Sequence, residues 1–245
     1  MGQNVYNYTR RRKTNLISIL FYWTDCIMES YFIHNKKKKE SLMQILIHPT
    51  YFPTIEFFYY YTKTDNLIFE INDFYKKQTV RNRTTIYGPN GKLNLIVPVK
   101  FSSKKKEKLK DIRICNDQKW QNNHLKSIQI AYRSSPYFEF FEDHFIKLFE
   151  KKEKFLLDIN IKSIELIYEF LDLNFKYSFS KEYVHDYDSI RDLRKLSEKK
   201  RNSSVFKTNP YMQVFFEKCG FIKNLSVIDL IFNEGINSLN VIKSS

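Results

Sequence analysis

The spacing of apolar residues changes at Trp120, and this change constrains the fold more than any other feature of the sequence. Before it, short apolar runs such as 44–48 and 67–71 end at a proline or at polar residues, as buried strands do. From Trp120 onward, apolar side chains recur with the spacing of a helix face. The sequence therefore predicts an α/β fold with a mixed sheet and a helical C-terminal half.

Two predicted strands, 83–87 and 93–99, flank the sequence Gly88-Pro89-Asn90-Gly91. An Asn-Gly pair tolerates the positive φ angles of a tight turn, so these strands are expected to pair as a β-hairpin. The apolar patterns predict helices over 55–61, 120–132, 138–149 and 155–173.

The chain has 41 Lys and Arg residues against 27 Asp and Glu residues, a formal net charge of +14. Such a charge is typical of proteins that bind nucleic acid or an anionic membrane surface. However, Ala131 is the only alanine, and Lys, Asn and Ile are abundant, which is the pattern of scarce GC-rich codons. Such a codon bias would suppress arginine, so Arg81, Arg83 and Arg133 are more informative than the lysines.

Residues 43–245 are expected to form one domain, because a chain with 42% hydrophobic residues can bury a full core. Met43 stands directly before a predicted strand, which predicts that residues 1–42 are a poorly ordered or spurious N-terminal extension. The apolar stretch 16–28 is too short for a membrane span. Three widely spaced cysteines without a CxxC pair favour a reduced, cytoplasmic protein and no metal site.

Polar and ring-bearing side chains interrupt the apolar runs in three places, and these clusters predict a functional site. They are 48–53, 81–83, and Trp120 with His124 and Tyr132. An imidazole titrates near neutral pH, so His124 or His48 is a candidate base. Either ring also fits a structural position, as a core residue bonded to the backbone or as a polar residue that ends a strand.

Arg81 and Arg83 alternate along a segment that is expected to be extended, so their side chains would point the same way. A pair of guanidinium groups can grip phosphate or carboxylate, although surface ion pairing explains them equally well. Glu70 or Asp73 can orient a histidine or can pair locally. The rings of Tyr51, Trp120 and Tyr132 can stack on a base or sugar, or can belong to the core.

Five motifs follow one another along the chain: Ile47-His48-Pro49-Thr50-Tyr51-Phe52-Pro53, Arg81-Asn82-Arg83, Leu95-Ile96-Val97-Pro98-Val99, Trp120 with His124, and Leu225-Ser226-Val227-Ile228-Asp229-Leu230. In this order they resemble the WbqC-like protein family over roughly residues 43–243. Members of that family occur in O-antigen biosynthesis clusters, so the resemblance implies transfer of glycine or a similar acyl group to a sugar. Two positions depart from the family pattern. His48 replaces the usual glutamine, and Glu70 with Asp73 replaces two adjacent acidic residues.

The residues and the resemblance together predict a cytoplasmic group transferase that takes a nucleotide sugar and an activated acyl donor in surface polysaccharide biosynthesis, without a cofactor. The alternatives are a basic nucleic-acid-binding protein without catalytic activity and a non-catalytic partner of a biosynthetic complex. The catalytic candidates are His48, His124, Glu70 and Asp73, and the substrate-binding candidates are Tyr51, Arg81, Asn82, Arg83, Trp120, Tyr132 and Arg133.

Overall fold

The computed structural model describes residues 43–102, 105–198 and 206–245, so the prediction for residues 1–42 lies outside the described residues. The strands are β1 (Ile45–Ile47), β2 (Leu67–Phe69), β3 (Arg83–Gly88), β4 (Gly91–Ile96), β5 (Val99–Lys100), β6 (Arg113–Ile114), β7 (Tyr177–Phe179) and β8 (Arg191–Asp192). The α-helices are α1 (Ile55–Tyr61), α2 (Trp120–Tyr132), α3 (Phe138–Glu150), α4 (Leu156–Phe170), α5 (Phe216–Cys219), α6 (Val227–Glu234) and α7 (Ser238–Lys243).

Four strands form a parallel sheet in the order β7, β2, β1, β8. All three residues of β1 are buried, as its uninterrupted apolar run predicts. The helix α1 connects β1 to β2 and begins after Thr54, whose hydroxyl accepts a hydrogen bond from the Phe57 N–H. Because the strands are parallel, their carboxyl ends lie along one edge, where His48, Glu70 and Ser180 directly follow β1, β2 and β7.

The predicted hairpin is confirmed, since β3 and β4 pair antiparallel from Arg83 opposite Ile96 to Gly88 opposite Gly91. Gly91 has a φ of 97°, a conformation that glycine adopts at little cost. The second strand of the hairpin ends earlier than predicted because Pro98 has no N–H to donate. The chain then starts β5, which pairs with β6 instead.

The three long helices α2, α3 and α4 occupy the segments predicted for them, and their inner faces are aromatic and aliphatic. Phe145 of α3 stacks on Phe52 with ring centroids 5.4 Å apart and contacts Phe232 of α6 at 5.3 Å. The predicted α/β fold, with a hairpin and a helical C-terminal half, is thus confirmed. In the part of the chain that the structure describes, no helix has the length and apolar character to cross a membrane.

Candidate functional site

A cavity of about 460 Å³ opens at the carboxyl edge of the parallel sheet and is lined by residues from the ends of both β1 and β8. The chain leaves β1 through α1 to form β2 on one side, and much later adds β8 on the other side. The strand order therefore reverses between the neighbouring strands β1 and β8, which makes their carboxyl ends a topological switch point. In parallel sheets, ligands bind preferentially at such a place.

His48 lies at the base of this cavity and is only 1% exposed. Its Nε2 atom is 3.0 Å from Asp73 Oδ2, and its Nδ1 atom is 2.9 Å from Ser197 Oγ. Arg81, also 1% exposed, donates from Nη2 to the same Asp73 oxygen over 2.8 Å. We call His48, Asp73, Arg81 and Ser197 the His48 cluster.

The geometry of the His48 cluster places the ring proton of neutral His48 on Nε2. Arg81 Nη2, Asp73 Oδ2 and His48 Nε2 form a nearly equilateral triangle with sides of 2.8, 3.0 and 3.0 Å. The two partner atoms are therefore about 60° apart when seen from Nη2, whereas the two hydrogens of that planar nitrogen are about 120° apart. The two hydrogens of Nη2 therefore cannot point straight at both partners, although both contacts lie within hydrogen-bond reach, and the position of the ring proton is set by Asp73. Because an ionised carboxylate only accepts, both Arg81 and His48 Nε2–H donate to Oδ2.

Burial lowers the pKa of His48 from 6.5 to about 4, and the positive charge of Arg81 acts in the same direction. Burial raises the pKa of Asp73, but the hydrogen bond with His48 and the charge of Arg81 outweigh it and bring that pKa to about 2. At neutral pH, His48 is therefore an uncharged imidazole beside an ionised Asp73. An imidazole in this state is able to accept a proton.

The wall of the cavity above the His48 cluster carries charges of both signs and two tyrosine rings. Lys76 reaches Glu198 across part of this wall at 2.7 Å, with both side chains accessible to solvent. Cationic and anionic groups side by side suit a ligand that itself carries both charges. The remaining wall residues are the cations Arg194 and Lys195, the carboxylates Asp186 and Asp192, and Tyr183, His185 and Tyr187.

Arg194 holds the loop 183–187 against the sheet. Its Nη1 and Nη2 atoms donate to the backbone carbonyls of Val184 and His185 at 2.8 and 2.7 Å, and its Nη2 is 2.6 Å from Asp192 Oδ2. The guanidinium carbon also lies 4.8 Å from the centre of the Tyr183 ring. One side chain thus fixes the shape of this wall.

Glu70 lies behind the wall and is fully buried. Its Oε1 atom accepts hydrogen bonds from the Asn72 N–H and the Ser180 hydroxyl, both over 2.7 Å. Its Oε2 atom is 3.5 Å from Arg194 Nη1. These contacts tie the end of β2 to the end of β7, and Glu70 is absent from the described lining of the cavity.

His124 lies in a separate aromatic cluster. Its Nδ1 atom is 2.9 Å from the Tyr51 hydroxyl, and its ring also bonds to the Ile96 backbone. The rings of Trp120 and Phe149 pack edge-on against it, with centroids 5.1 and 6.2 Å away. Burial lowers the pKa of His124 to about 4, against the opposing effect of the Ile96 bond. These contacts are those of a core histidine, and none of the predicted residues of this cluster belongs to the described cavity lining.

Tyr132 belongs to a third buried group, which is centred on Asp229. The hydroxyls of Tyr132 and Tyr211 donate to the two oxygens of Asp229 over 2.6 Å each, and Gln213 adds a bond of 3.2 Å. Burial raises the pKa of Asp229, and these bonds oppose that shift. Because Asp229 is fully buried, this group stabilises the packing of α2 against α6.

The remaining predicted residues, Asn82, Arg83 and Arg133, are not among the described residues that line the cavity. Asn82 donates to the Val97 carbonyl over 2.9 Å and holds the two ends of the hairpin together. Arg83 is half-buried in β3. Arg133 is exposed and lies 3.7 Å from Glu142.

The structure therefore brings together His48, Asp73 and Arg81 of the predicted set. It adds Ser197, Arg194 and two tyrosines that sequence reasoning missed. Their signal was the density of titratable and aromatic residues over 183–198, a polar segment without the apolar pattern of a helix or strand. Within the described residues, no group of three His, Cys, Asp or Glu side chains is arranged to hold a metal ion.

Comparison with known proteins identifies one family. The model of the WbqC-like protein family matches residues 48–202, which include the whole His48 cluster. No curated protein and no solved structure matches the chain.

Proposed function

The chain belongs to the WbqC-like protein family, and we propose that it is a group transferase that moves an acyl or aminoacyl group to a nucleotide-linked amino sugar. The family is associated with O-antigen and other polysaccharide-related proteins. The reaction takes place in the cavity above the His48 cluster. The observation that carries this proposal is an uncharged, buried histidine, fixed by a carboxylate, at the base of a cavity at the switch point of a parallel sheet.

The size and charges of the cavity support a nucleotide-linked amino sugar as acceptor. A volume of about 460 Å³ lies within the usual range for small-molecule sites. Lys76 and Lys195 supply positive charge for phosphate groups, and the rings of exposed Tyr183 and half-buried Tyr187 supply surfaces for a base or sugar. The carboxylates of the wall attract the amine that receives the acyl group.

His48 is the base in this proposal, and Asp73 is its positioning residue. Attack by an amine or hydroxyl on an acyl carbonyl releases a proton, which a neutral imidazole accepts. The bond from Nε2–H to Asp73 fixes the ring and stabilises the imidazolium that forms. His124 is not assigned this role, because the Tyr51 hydroxyl and the Ile96 backbone already bind its ring.

The proposal is tested by incubating the full chain with nucleotide-linked amino sugars and acyl or aminoacyl thioesters and following the acylated sugar by mass spectrometry. We expect product with at least one pair, and a rate that falls roughly a hundredfold or more in His48→Asn, as expected for loss of a general base. His144→Asn is the matched control, because His144 is a partly exposed helix residue outside the described lining of this cavity.

Two results would contradict the proposal. One is the absence of product and of any binding to the full panel of nucleotide sugars by calorimetry. The other is tight binding of short RNA that weakens steeply with added salt, which would favour the nucleic-acid-binding alternative. Retained activity in His48→Asn would keep the transferase but remove His48 from the reaction.

A further inference from the structure

Ser197 is a buried nucleophilic side chain to which the proposed reaction assigns no role. It ends a short 3-10 turn over Arg194–Ser197 and is 1% exposed. Its Oγ atom is 2.9 Å from His48 Nδ1 and 3.4 Å from Arg81 Nη2. Both partners line the cavity. Lys195 and Glu198, which lie on either side of Ser197 in the sequence, also line it.

The protonation of His48 decides what Ser197 is able to do. Because the ring proton is on Nε2, the Nδ1 atom has a free electron pair that faces the Ser197 hydroxyl. The hydroxyl proton has two acceptors at 2.9 Å, His48 Nδ1 and the Arg194 carbonyl, and rotation about the Cβ–Oγ bond carries it from one to the other. When the hydroxyl proton points toward His48, the Ser197 hydroxyl, the His48 imidazole and the Asp73 carboxylate form a hydrogen-bonded chain. Such a chain activates a serine as a nucleophile.

The contacts of His48 also limit the routes by which it receives a proton. Nε2 carries a proton already and faces Asp73, so a new proton has to arrive at Nδ1. The hydrogen-bond partner of Nδ1 is Ser197 Oγ. A base that works through Nδ1 therefore takes its proton from Ser197 itself.

We infer that Ser197, His48 and Asp73 form a nucleophile, base and carboxylate triad, and that the transferred acyl group passes through an ester on Ser197. Ser197 Oγ attacks the carbonyl carbon of an acyl thioester while its proton moves to His48 Nδ1. The carbon–sulfur bond then breaks, and the thiolate leaves with that proton. The sugar amine next attacks the ester carbonyl and gives a proton to His48, the carbon–oxygen bond breaks, and the proton returns to Ser197 Oγ.

Arg81 and the turn Arg194–Ser197 have defined parts in this inference, which rests on the proposed function. Arg81 Nη2 lies 3.4 Å from the attacking oxygen, so its positive charge is close to the carbonyl group under attack and favours the negative charge that develops there. Because Ser197 is 1% exposed, the donor reaches Oγ only when neighbouring wall side chains of the cavity move aside while Ser197 keeps its contact with His48. Catalytic hydrogen-bond geometry often tightens only once a substrate is bound.

The test is covalent labelling of the full chain with diisopropyl fluorophosphate, a small reagent that phosphorylates activated serines, followed by peptide mass spectrometry. We expect one label on Ser197, no label at this position in Ser197→Ala, and labelling of His48→Asn and Asp73→Asn that is roughly a hundredfold slower or more. Ser163→Ala is the matched control, because Ser163 is buried and donates to the Asn160 carbonyl instead of to a histidine. Each variant is first checked for folding by circular dichroism.

Absence of a label on Ser197 in the folded wild-type chain would overturn the inference, and so would labelling that His48→Asn and Asp73→Asn leave unchanged. The transferase assay separates this failure from failure of the proposed function. If Ser197→Ala forms acylated sugar at the wild-type rate, the triad is wrong and the transferase stands. If Ser197 is labelled but no sugar is ever acylated, the triad stands and the proposed function is wrong.

Discussion

Buried Arg81 and partly buried Asp73 form an ion pair in which Arg81 Nη2 donates to Asp73 Oδ2 over 2.8 Å. The guanidinium group of Arg81 is 1% exposed and also donates from Nη1 to the Phe74 carbonyl over 2.9 Å. A buried guanidinium group stays charged and therefore needs a carboxylate partner. The same carboxylate also accepts from His48, so one side chain compensates a buried charge and fixes the candidate base.

Replacing Asp73 with Asn should destabilise the protein, because it leaves the charge of Arg81 buried without a full counter-charge. We expect the free energy of unfolding to fall by about 3 kcal/mol, a typical cost of breaking a buried pair from one side. Urea denaturation at neutral pH measures this loss. Asp186→Asn is the control, since Asp186 is 88% exposed and should leave stability unchanged. Equal stability of both variants would show that Arg81 does not depend on Asp73.

The local features of the fold were predictable because short-range patterns determine them. The Asn90-Gly91 pair predicts the turn of the hairpin, and Pro49 predicts the end of β1. The stripe from Trp120 to Tyr132 correctly predicts α2, but the same pattern gives no information on whether its polar members face a cavity or the core. The burial of His124 in the core follows from packing against Tyr51 and Phe149.

The site was only partly predictable because it is assembled from distant parts of the chain. Asp73 and Ser197, the partners of His48, lie 25 and 149 residues away from it, so no local motif contains them. The expectation that Arg81 and Arg83 point the same way assumed an extended segment. In the structure β3 begins only at Arg83, and Arg81 lies in the preceding turn, so the alternation of a strand does not apply to this pair.

Acid should destabilise the protein below neutral pH because two buried histidines resist protonation. His48 and His124 have pKa values of about 4 in the folded chain against 6.5 ordinarily. As the pH falls below 6.5, the unfolded chain binds these protons first, so stability that is present above 6.5 is lost as the pH approaches 4. The loss is about 3 kcal/mol for each histidine at most.

His124→Gln measures one of the two contributions, since glutamine does not titrate. Urea denaturation at several pH values between 7 and 4 should show a shallower decline for this variant than for the wild type. The slope is the informative quantity, because the variant is also expected to be less stable at every pH. His185→Gln, at a side chain that is 84% exposed, should keep the wild-type slope. A wild-type slope in His124→Gln would contradict the assignment of His124 as a buried neutral residue.

Tyr132→Phe and Tyr211→Phe should each destabilise the protein, because each removes a hydrogen bond to the buried Asp229. A hydrogen bond to a charged or strongly polarised group contributes about 1.5–3 kcal/mol, so we expect losses in that range. The double variant should lose a different amount from the sum, since both hydroxyls bind one carboxyl group. Tyr183→Phe is the control, because Tyr183 is 46% exposed. If the stability loss of the double variant equals the sum of the two single losses, the two hydroxyls do not form a coupled network.

Arg194→Lys should loosen the cavity wall without unfolding the protein. Lysine has no planar fork and cannot bind the carbonyls of Val184 and His185 and the carboxylate of Asp192 together. Hydrogen–deuterium exchange should therefore become roughly tenfold faster over residues 193–196, where the N–H groups of Leu193 and Leu196 donate to the Leu46 and Leu193 carbonyls, as expected if local opening becomes easier by about 1.4 kcal/mol. The β3–β4 hairpin should exchange as before. Arg191→Lys is the matched control, because the described contact of Arg191 is a stacking one with the Tyr60 ring at 5.1 Å, which lysine also makes. Unchanged exchange over residues 193–196, or equal acceleration across the whole chain, would show that Arg194 does not hold the wall.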